Sequence, residues 1–145
     1  MDSSSSFFVK RLDPRAVIPT KAHATDAGFD VTVLYPTKRQ GDVVWYGTGI
    51  AIEPPKGFYF QLYPRSSIAK TGYVLANSVG IIDPDYQGEL LIAMRKVDAS
   101  APDLELPVKI AQIVPARIYE LTPVEVSDFA GTTERGCGGF GSTNE

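Results

Sequence analysis

Eleven prolines are spread along this chain, and their spacing excludes long helices. Proline lacks the N–H group that a helix needs, and its ring clashes with the preceding turn. Short runs rich in β-branched and aromatic residues lie between the prolines, bounded by turn-forming sequences such as Pro36, PPKG, KTG, DPDYQG and SAPDLELP. This pattern predicts an all-β fold, a compact sandwich or barrel.

The predicted strands share alternating or continuous apolar positions, and one helical turn is predicted at SSIAK with Ser66 or Ser67 as its N-cap. No repeat or boundary divides the chain, so its 145 residues are expected to form one domain. That β domain covers residues 1–133, with residues 1–6 flexible, and residues 134–145 form a flexible Gly-rich segment. The predicted strands are GFDVTVLY, DVVWYGTGIAIEPP, GFYFQLYP, YVLANSVGII, GELLIAMRKV, VKIAQIVPARIYEL and VEVSDF.

The composition limits the classes of protein to which this chain can belong. The single cysteine, Cys137, excludes an internal disulfide and a Cys-rich metal site. No apolar run approaches the length that spans a membrane, and the N-terminus lacks the pattern of a secretory signal. The net charge of −3 means that a polyanion must be bound by a local cluster of donors. A single cysteine suits a reducing intracellular compartment. We expect a cytoplasmic or nuclear protein without a nucleic-acid or membrane partner.

Two segments in the first half of the chain carry candidate chemistry. TDAGFD offers Asp26 and Asp30 for metal or acid–base work, although it also suits a simple turn that enters a strand. YPRSSIAKTG brings Arg65, Ser66 and Lys70 close together, and guanidinium, hydroxyl and backbone N–H groups are the donors that a phosphate needs. The alternative for the second segment is a capped helical turn with a surface arginine.

The segment NSVGIIDPDYQGE is the richest in chemistry. Asn77 has a donor and acceptors suited to a base edge. Asp83 ends an apolar run, so it is expected to be partly desolvated and positioned as a general base, and Tyr86 could lie flat on a sugar ring. The alternative is a hairpin with a type I turn over residues 83–86, which also favours Asp followed by Pro.

Two later segments give weaker evidence for a functional site when each is taken alone. KIAQIVPARI places Gln112 within an apolar strand, where the amide is either buried with partners or on an edge or outward-facing position. RGCGGFGST offers closely spaced backbone N–H groups, Arg135, and the hydroxyls of Ser142 and Thr143 for a phosphate. The alternative is a disordered tail.

Taken in order, TDAGFD, PRSSIAK, NSVGIIDPDYQGE, KIAQIV and RGCGGFGST resemble the five motifs of the homotrimeric dUTPases. They extend from Asp26 to Thr143. The resemblance implies a jelly-roll-like β fold that assembles as a homotrimer with a mobile C-terminal arm. It also implies Mg²⁺-dependent hydrolysis of dUTP to dUMP and pyrophosphate, which supplies dUMP for thymidylate synthesis and keeps uracil out of DNA.

The resemblance also implies a role for each matching residue. Asp83 would activate the water that attacks the α-phosphate, and Gln112 and Arg65 would be the other two catalytic residues. Asp30 would orient water around a Mg²⁺ ion held mainly by the triphosphate. Tyr86 would stack under the deoxyribose and exclude a 2′-hydroxyl, and Phe140 would cover the uracil. The implied substrate-binding residues are Ser66, Ser67, Asn77, Gly80, Ile82, Tyr86, Arg135, Phe140, Gly141, Ser142 and Thr143.

Two other functions fit the same scaffold. A dCTP deaminase shares the fold and an RSS…IDP pattern, but GELLIAM lacks the matching acidic residue within the strand. A non-catalytic nucleotide-binding regulator would be favoured by loss of Asp83 or of the Gly-rich segment, and this chain has both.

Overall fold

The computed structural model describes residues 6–141, and within them the chain is all-β apart from a short 3-10 helix, Ser66–Lys70. The predicted fold class is therefore confirmed. No helix in the described residues is long and apolar enough to cross a membrane. The strands are β1 (Phe8–Arg11), β2 (Phe29–Val33), β3 (Tyr35–Gln40), β4 (Val43–Gly47), β5 (Ile50–Glu53), β6 (Phe58–Pro64), β7 (Tyr73–Leu75), β8 (Gly80–Ile82), β9 (Leu91–Lys96) and β10 (Val108–Arg117).

The strands form two antiparallel four-stranded sheets and one separate pair. The first sheet has the order β2-β10-β6-β8, the second has the order β3-β4-β9-β7, and β1 pairs with β5. Neighbouring strands are often distant in sequence, so the chain crosses between sheets in the jelly-roll manner. In the first sheet, β10 lies between β2 and β6, and this brings three separate parts of the sequence side by side.

The core lies between the inner faces of the two sheets. On β6, Phe60 and Leu62 are buried, whereas Tyr59, Gln61 and Tyr63 between and beside them are only half-buried. This period of two is what a strand with one covered face requires. The second sheet contributes Ile92 and Met94 in the same way. The inward positions fix the register, and the outward positions of the same strands are left for the functional residues.

Two predicted strands each divide in two, since DVVWYGTGIAIEPP contains β4 and β5 and YVLANSVGII contains β7 and β8, and three smaller details also differ from expectation. Pro36, predicted to mark a turn, lies inside β3, where the register shifts between Pro36 and Lys38. An edge strand with such an irregularity tolerates the missing N–H group. Neither Ser66 nor Ser67 caps the short helix, because Arg65 occupies the N-cap position and no side chain caps it. Strand β1 was not predicted at all.

The prediction of a strand at VEVSDF is also wrong, because the single chain forms no strand there. Residues 118–141 contain no strand, and the apolar side chains of their first half are exposed, with Leu121 at 84% and Phe129 at 85%. A strand needs a neighbour to bond with, and the described part of this chain pairs no strand with the segment. These apolar side chains must either pack against another surface or remain in contact with water.

Candidate active site

Three motifs meet around Gln112 on β10. Gln112 lies opposite Asp30 of β2 on one side and opposite Tyr63 of β6 on the other. The backbone N–H of Arg65 donates to the carbonyl of Ile110 at 2.8 Å, so β10 also holds the residue that follows β6. Sheet pairing therefore brings Asp30, Arg65 and Gln112 together, as the motifs predict.

The side chains in this cluster hold one another in fixed positions. Arg65 Nε lies 3.0 Å from Asp30 Oδ1, and Arg65 Nη1 donates to the carbonyl of Lys109 at 3.0 Å. The amide of Gln112 donates from Nε2 to the carbonyl of Pro64 at 3.1 Å. A guanidinium has five N–H groups, so donors remain for an anion after these two contacts. Gln112 is half-buried and its amide has a partner, and β10 is not an edge strand, so the residue lies between the two alternatives that the sequence left open.

Gly28 is a member of this cluster that sequence reasoning missed. A Cβ atom at this position would lie 2.2 Å from Gln112 Oε1, so only glycine leaves room for the amide. The available signal was the glycine inside TDAGFD, but nothing local shows that its partner is 84 positions away. Asp30, Arg65 and Gln112 open onto a cavity of about 260 Å³. The remaining lining residues are Ala22, Asp26, Ala27, Gly28 and Ser66.

A second group of predicted residues lies on the hairpin that includes β8. The turn over residues 83–86 forms, with the Tyr86 N–H donating to the Asp83 carbonyl at 3.2 Å. Asp83 is exposed, so the expected partial desolvation is absent in the single chain. Gly80 is buried, and a Cβ there would lie 3.1 Å from Leu62 Cβ.

The hairpin group faces its own cavity of about 260 Å³, in which Asn77, Ile82 and Tyr86 meet residues of the second sheet. Asn77 is exposed and Tyr86 is 46% exposed, so both have surface free for a ligand. The other lining residues are Lys38, Trp45, Ile81, Glu89, Leu90, Leu91 and Ala93.

The two groups are far apart within one chain. Ile82 pairs with Phe60, and continuing this antiparallel register by one residue sets Asp83 level with Tyr59. Arg65 follows six residues after Tyr59 along the strand, which is roughly 20 Å at about 3.3 Å per residue. One chain therefore does not bring Asp83 and Arg65 to the same phosphate group.

The remaining predicted residues lie in the C-terminal segment or at the helix start. Gly136 donates to Thr133 and Gly138 donates to Arg135, both at 3.1 Å, so these turns close within the segment. Phe140 is fully exposed, and both it and Gly141 have positive φ angles. Ser66 and Ser67 are exposed at the start of the 3-10 helix. Ser142 and Thr143 lie outside the described residues.

Comparisons with known proteins agree on one family. A profile of the dUTPase family matches residues 15–144. The deoxyuridine 5'-triphosphate nucleotidohydrolase of Rhodococcus erythropolis is 38% identical over 146 residues, which cover 99% of this chain and 88% of that protein. The enzyme of the same name from Mycobacterium marinum is 39% identical, with coverage of 97% and 96%. A solved structure of the Staphylococcus bacteriophage 80alpha dUTPase with dUPNHPP is 25% identical and superimposes with a TM-score of 0.76, covering 95% of this chain and 98% of that one.

Proposed function

This chain belongs to the dUTPase family, and we infer from that membership that it hydrolyses dUTP to dUMP and pyrophosphate. The main structural support for placing this reaction at a site is the cluster of Arg65, Asp30 and Gln112, in which a cation and an amide face one cavity. Hydrolysis inside the cell would supply dUMP for thymidylate synthesis and keep uracil out of DNA.

We propose that Arg65, Ser66 and Ser67 bind the phosphates. Phosphoryl transfer depends mainly on positioning and charge stabilisation. Asp30 and the Lys109 carbonyl hold the guanidinium of Arg65 before the substrate arrives, so little reorganisation is needed when charge develops. Gln112, oriented by its bond to Pro64, would hold the attacking water.

We propose that Asp83 is the general base and that it comes from a neighbouring chain. Its distance of roughly 20 Å from Arg65 in one chain, from the strand rise, is too long for one reaction centre. Association is also supported by residues 118–129, which precede the proposed lid and in which Leu121, Val124, Val126 and Phe129 are all more than half exposed. Burial of these side chains on another copy would remove apolar surface from water. The homotrimer that the family resemblance implies, with Asp83 of one chain facing Arg65 of the next, would account for both the separation and the exposed side chains.

The residues present fit a Mg²⁺ ion that the triphosphate carries. Within residues 6–141 no group of three or more His, Cys, Asp or Glu side chains could hold a metal ion. Mg²⁺ keeps several waters and is often held by substrate phosphates with one or two carboxylates. Asp30 supplies one carboxylate beside the cavity and would orient those waters. When bound, the ion would neutralise charge on the phosphate oxygens.

The remaining residues would select and enclose the nucleotide. Asn77, Gly80 and Ile82 would line the uracil pocket, and Tyr86 would form a wall under the deoxyribose. Residues 134–145 would close over the bound nucleotide as a lid, which excludes bulk water and strengthens charge interactions. The lid residues in contact with substrate would be Arg135, Phe140, Gly141, Ser142 and Thr143.

The test is pyrophosphate release from dUTP, dCTP, dTTP and UTP, measured with and without Mg²⁺. We expect release from dUTP with Mg²⁺ and little from the other three. Ammonia release from dCTP would instead indicate a deaminase, and binding without any release would indicate a regulator. Either of these results would overturn the proposed function.

A further inference from the structure

The ring of Tyr86 is held against the backbone of its own hairpin. Its hydroxyl donates to the carbonyl of Glu89 at 2.7 Å. The ring crosses directly over Gly88, where a Cβ atom would lie 2.5 Å from the hydroxyl oxygen and 2.7 Å from Cζ of the ring. The ring can adopt this position only because residue 88 has no side chain.

The backbone carbonyl of Glu89, which accepts the hydrogen bond from Tyr86, is itself fixed to the turn between β4 and β5. The carboxylate of Glu89 accepts a bond from the hydroxyl of Tyr35 at 2.7 Å and one from the N–H of Gly49 at 2.9 Å. The next residue, Leu90, donates to Ile50 at 2.8 Å and accepts from the hydroxyl of Thr48 at 2.7 Å. Four hydrogen bonds thus hold residues 89 and 90 to residues 35 and 48–50.

Tyr35 is also constrained from the other side. The guanidinium of Arg15 lies 5.2 Å from the centre of its ring. A Cβ at Gly47 would lie 2.1 Å from Tyr35 Cε1 and 2.6 Å from the Glu89 carboxylate, so this position must also be glycine. The acceptor for the Tyr86 hydroxyl is therefore part of the rigid body of the domain, although Tyr86 itself is 46% exposed.

We propose that Gly88 and Glu89 are positioning residues that set the discrimination between deoxyribose and ribose triphosphates. The proposal rests on the proposed function, in which Tyr86 is the wall under the sugar. A half-exposed tyrosine can adopt several rotamers, and a mobile ring would yield to a 2′-hydroxyl. Gly88 leaves space for the ring over the backbone, and the backbone carbonyl of Glu89 holds it there by accepting a hydrogen bond from the Tyr86 hydroxyl.

The test compares kcat/KM for dUTP with kcat/KM for UTP in the full-length protein and its variants. Gly88→Ala should lower this ratio, because the added methyl group displaces a ring that is free to swing into solvent, so the fold is preserved. Tyr86→Phe should lower it roughly 3- to 10-fold, the effect of one lost hydrogen bond. Glu89→Ala keeps the acceptor carbonyl but removes its anchors to Tyr35 and Gly49, so it should lower the ratio by a smaller factor. Glu89→Gln should retain most of the ratio, because an amide oxygen can accept from both Tyr35 and Gly49.

Matched controls separate this effect from general damage. Gly131→Ala adds a methyl group where nothing lies within 4 Å, and Glu53→Ala removes an exposed carboxylate from another part of the surface, whereas Glu89 is half-buried. Both should leave the ratio unchanged, and a general loss of folded protein would lower both rate constants together. If Tyr86→Ala alters the ratio but Gly88→Ala, Glu89→Ala and Tyr86→Phe do not, the positioning role is wrong. If Tyr86→Ala itself has no effect, the proposed sugar wall fails instead.

Discussion

At the scale of single residues, Gly28 illustrates how a side chain that is absent controls one that is present. The amide of Gln112 can lie beside residue 28 only because that residue is glycine, since a Cβ atom there would lie 2.2 Å from Gln112 Oε1. Gly28→Ala should push the amide away from Pro64 and lower kcat/KM for dUTP by roughly 10- to 100-fold, as small displacements near a reaction centre do. The melting temperature should change little, because the displaced group is the end of a flexible side chain.

A double variant provides the control for this prediction. If Gly28 acts through Gln112, then Gly28→Ala combined with Gln112→Ala should be no less active than Gln112→Ala alone. Additive losses in steady-state kinetics would show that Gly28 acts by another route.

Tyr35 makes the stability of the folded protein depend on pH in the alkaline range. The hydrogen bond to Glu89, followed by burial and the charge of Glu89, raises the pKa of Tyr35 to about 12. In the unfolded chain the pKa is about 10, so between these values the folded state keeps a proton that the unfolded state has lost. The contribution to stability is complete below pH 10 and is lost as the pH rises through 12.

Tyr35→Phe should therefore melt at a lower temperature than the parent at pH 9, and the difference should shrink between pH 10 and 12. Thermal unfolding across this range measures it, with Tyr119→Phe as a control on a mostly exposed tyrosine. A difference that stays constant with pH would mean that the bond to Glu89 does not shift the titration.

At the scale of elements, residues 134–145 should behave as a lid that the β domain can lose without unfolding. Its described turns close between Thr133 and Gly138. A chain that ends at residue 133 should fold and bind a non-hydrolysable dUTP analogue more weakly. Its turnover should fall by roughly 10²-fold or more, the usual effect of losing preorganised donors. Phe140→Ala should give an intermediate turnover.

Limited proteolysis checks the lid independently. Trypsin cleavage after Arg135 should slow when the analogue and Mg²⁺ are added, because an ordered segment resists proteases. Turnover at the parent's rate by the shortened chain, or cleavage that the analogue does not slow, would identify residues 134–145 as a frayed end.

Strands with their own alternation, such as β6 and β9, could be predicted from sequence, because the buried face is encoded locally. The strand VEVSDF could not be assigned correctly, since pairing depends on a partner that local sequence does not name. The candidate residues were found from ordered motifs, whereas Gly28 and Glu89 were missed. Tyr35 and Glu89 are 54 positions apart, and only the folded sheets bring them into contact.

At the scale of the whole molecule, separation within one chain predicts cooperation between chains. Arg65 and Asp83 lie roughly 20 Å apart by the strand rise, so a working site would combine Arg65 of one chain with Asp83 of another. Asp83→Asn should keep the fold and nucleotide binding but lose about 10²- to 10⁴-fold in turnover, the contribution of a positioned base. Arg65→Ala should also be nearly inactive.

Co-assembly of these two inactive chains should restore activity. In a trimer of mixed chains, a site is complete when the Asp83→Asn chain supplies Arg65 and the Arg65→Ala chain supplies Asp83. Equimolar random mixing gives on the order of a quarter of the parent's activity for such head-to-tail interfaces. Mixing Arg65→Ala with Gln112→Ala is the matched control, because both changes damage the same cluster and no pairing of chains can repair it. Light scattering should give the trimer mass for every sample. Recovery in the first mixture alone requires sites shared between chains, whereas mixed trimers without recovery would place Arg65 and Asp83 in the same subunit's site.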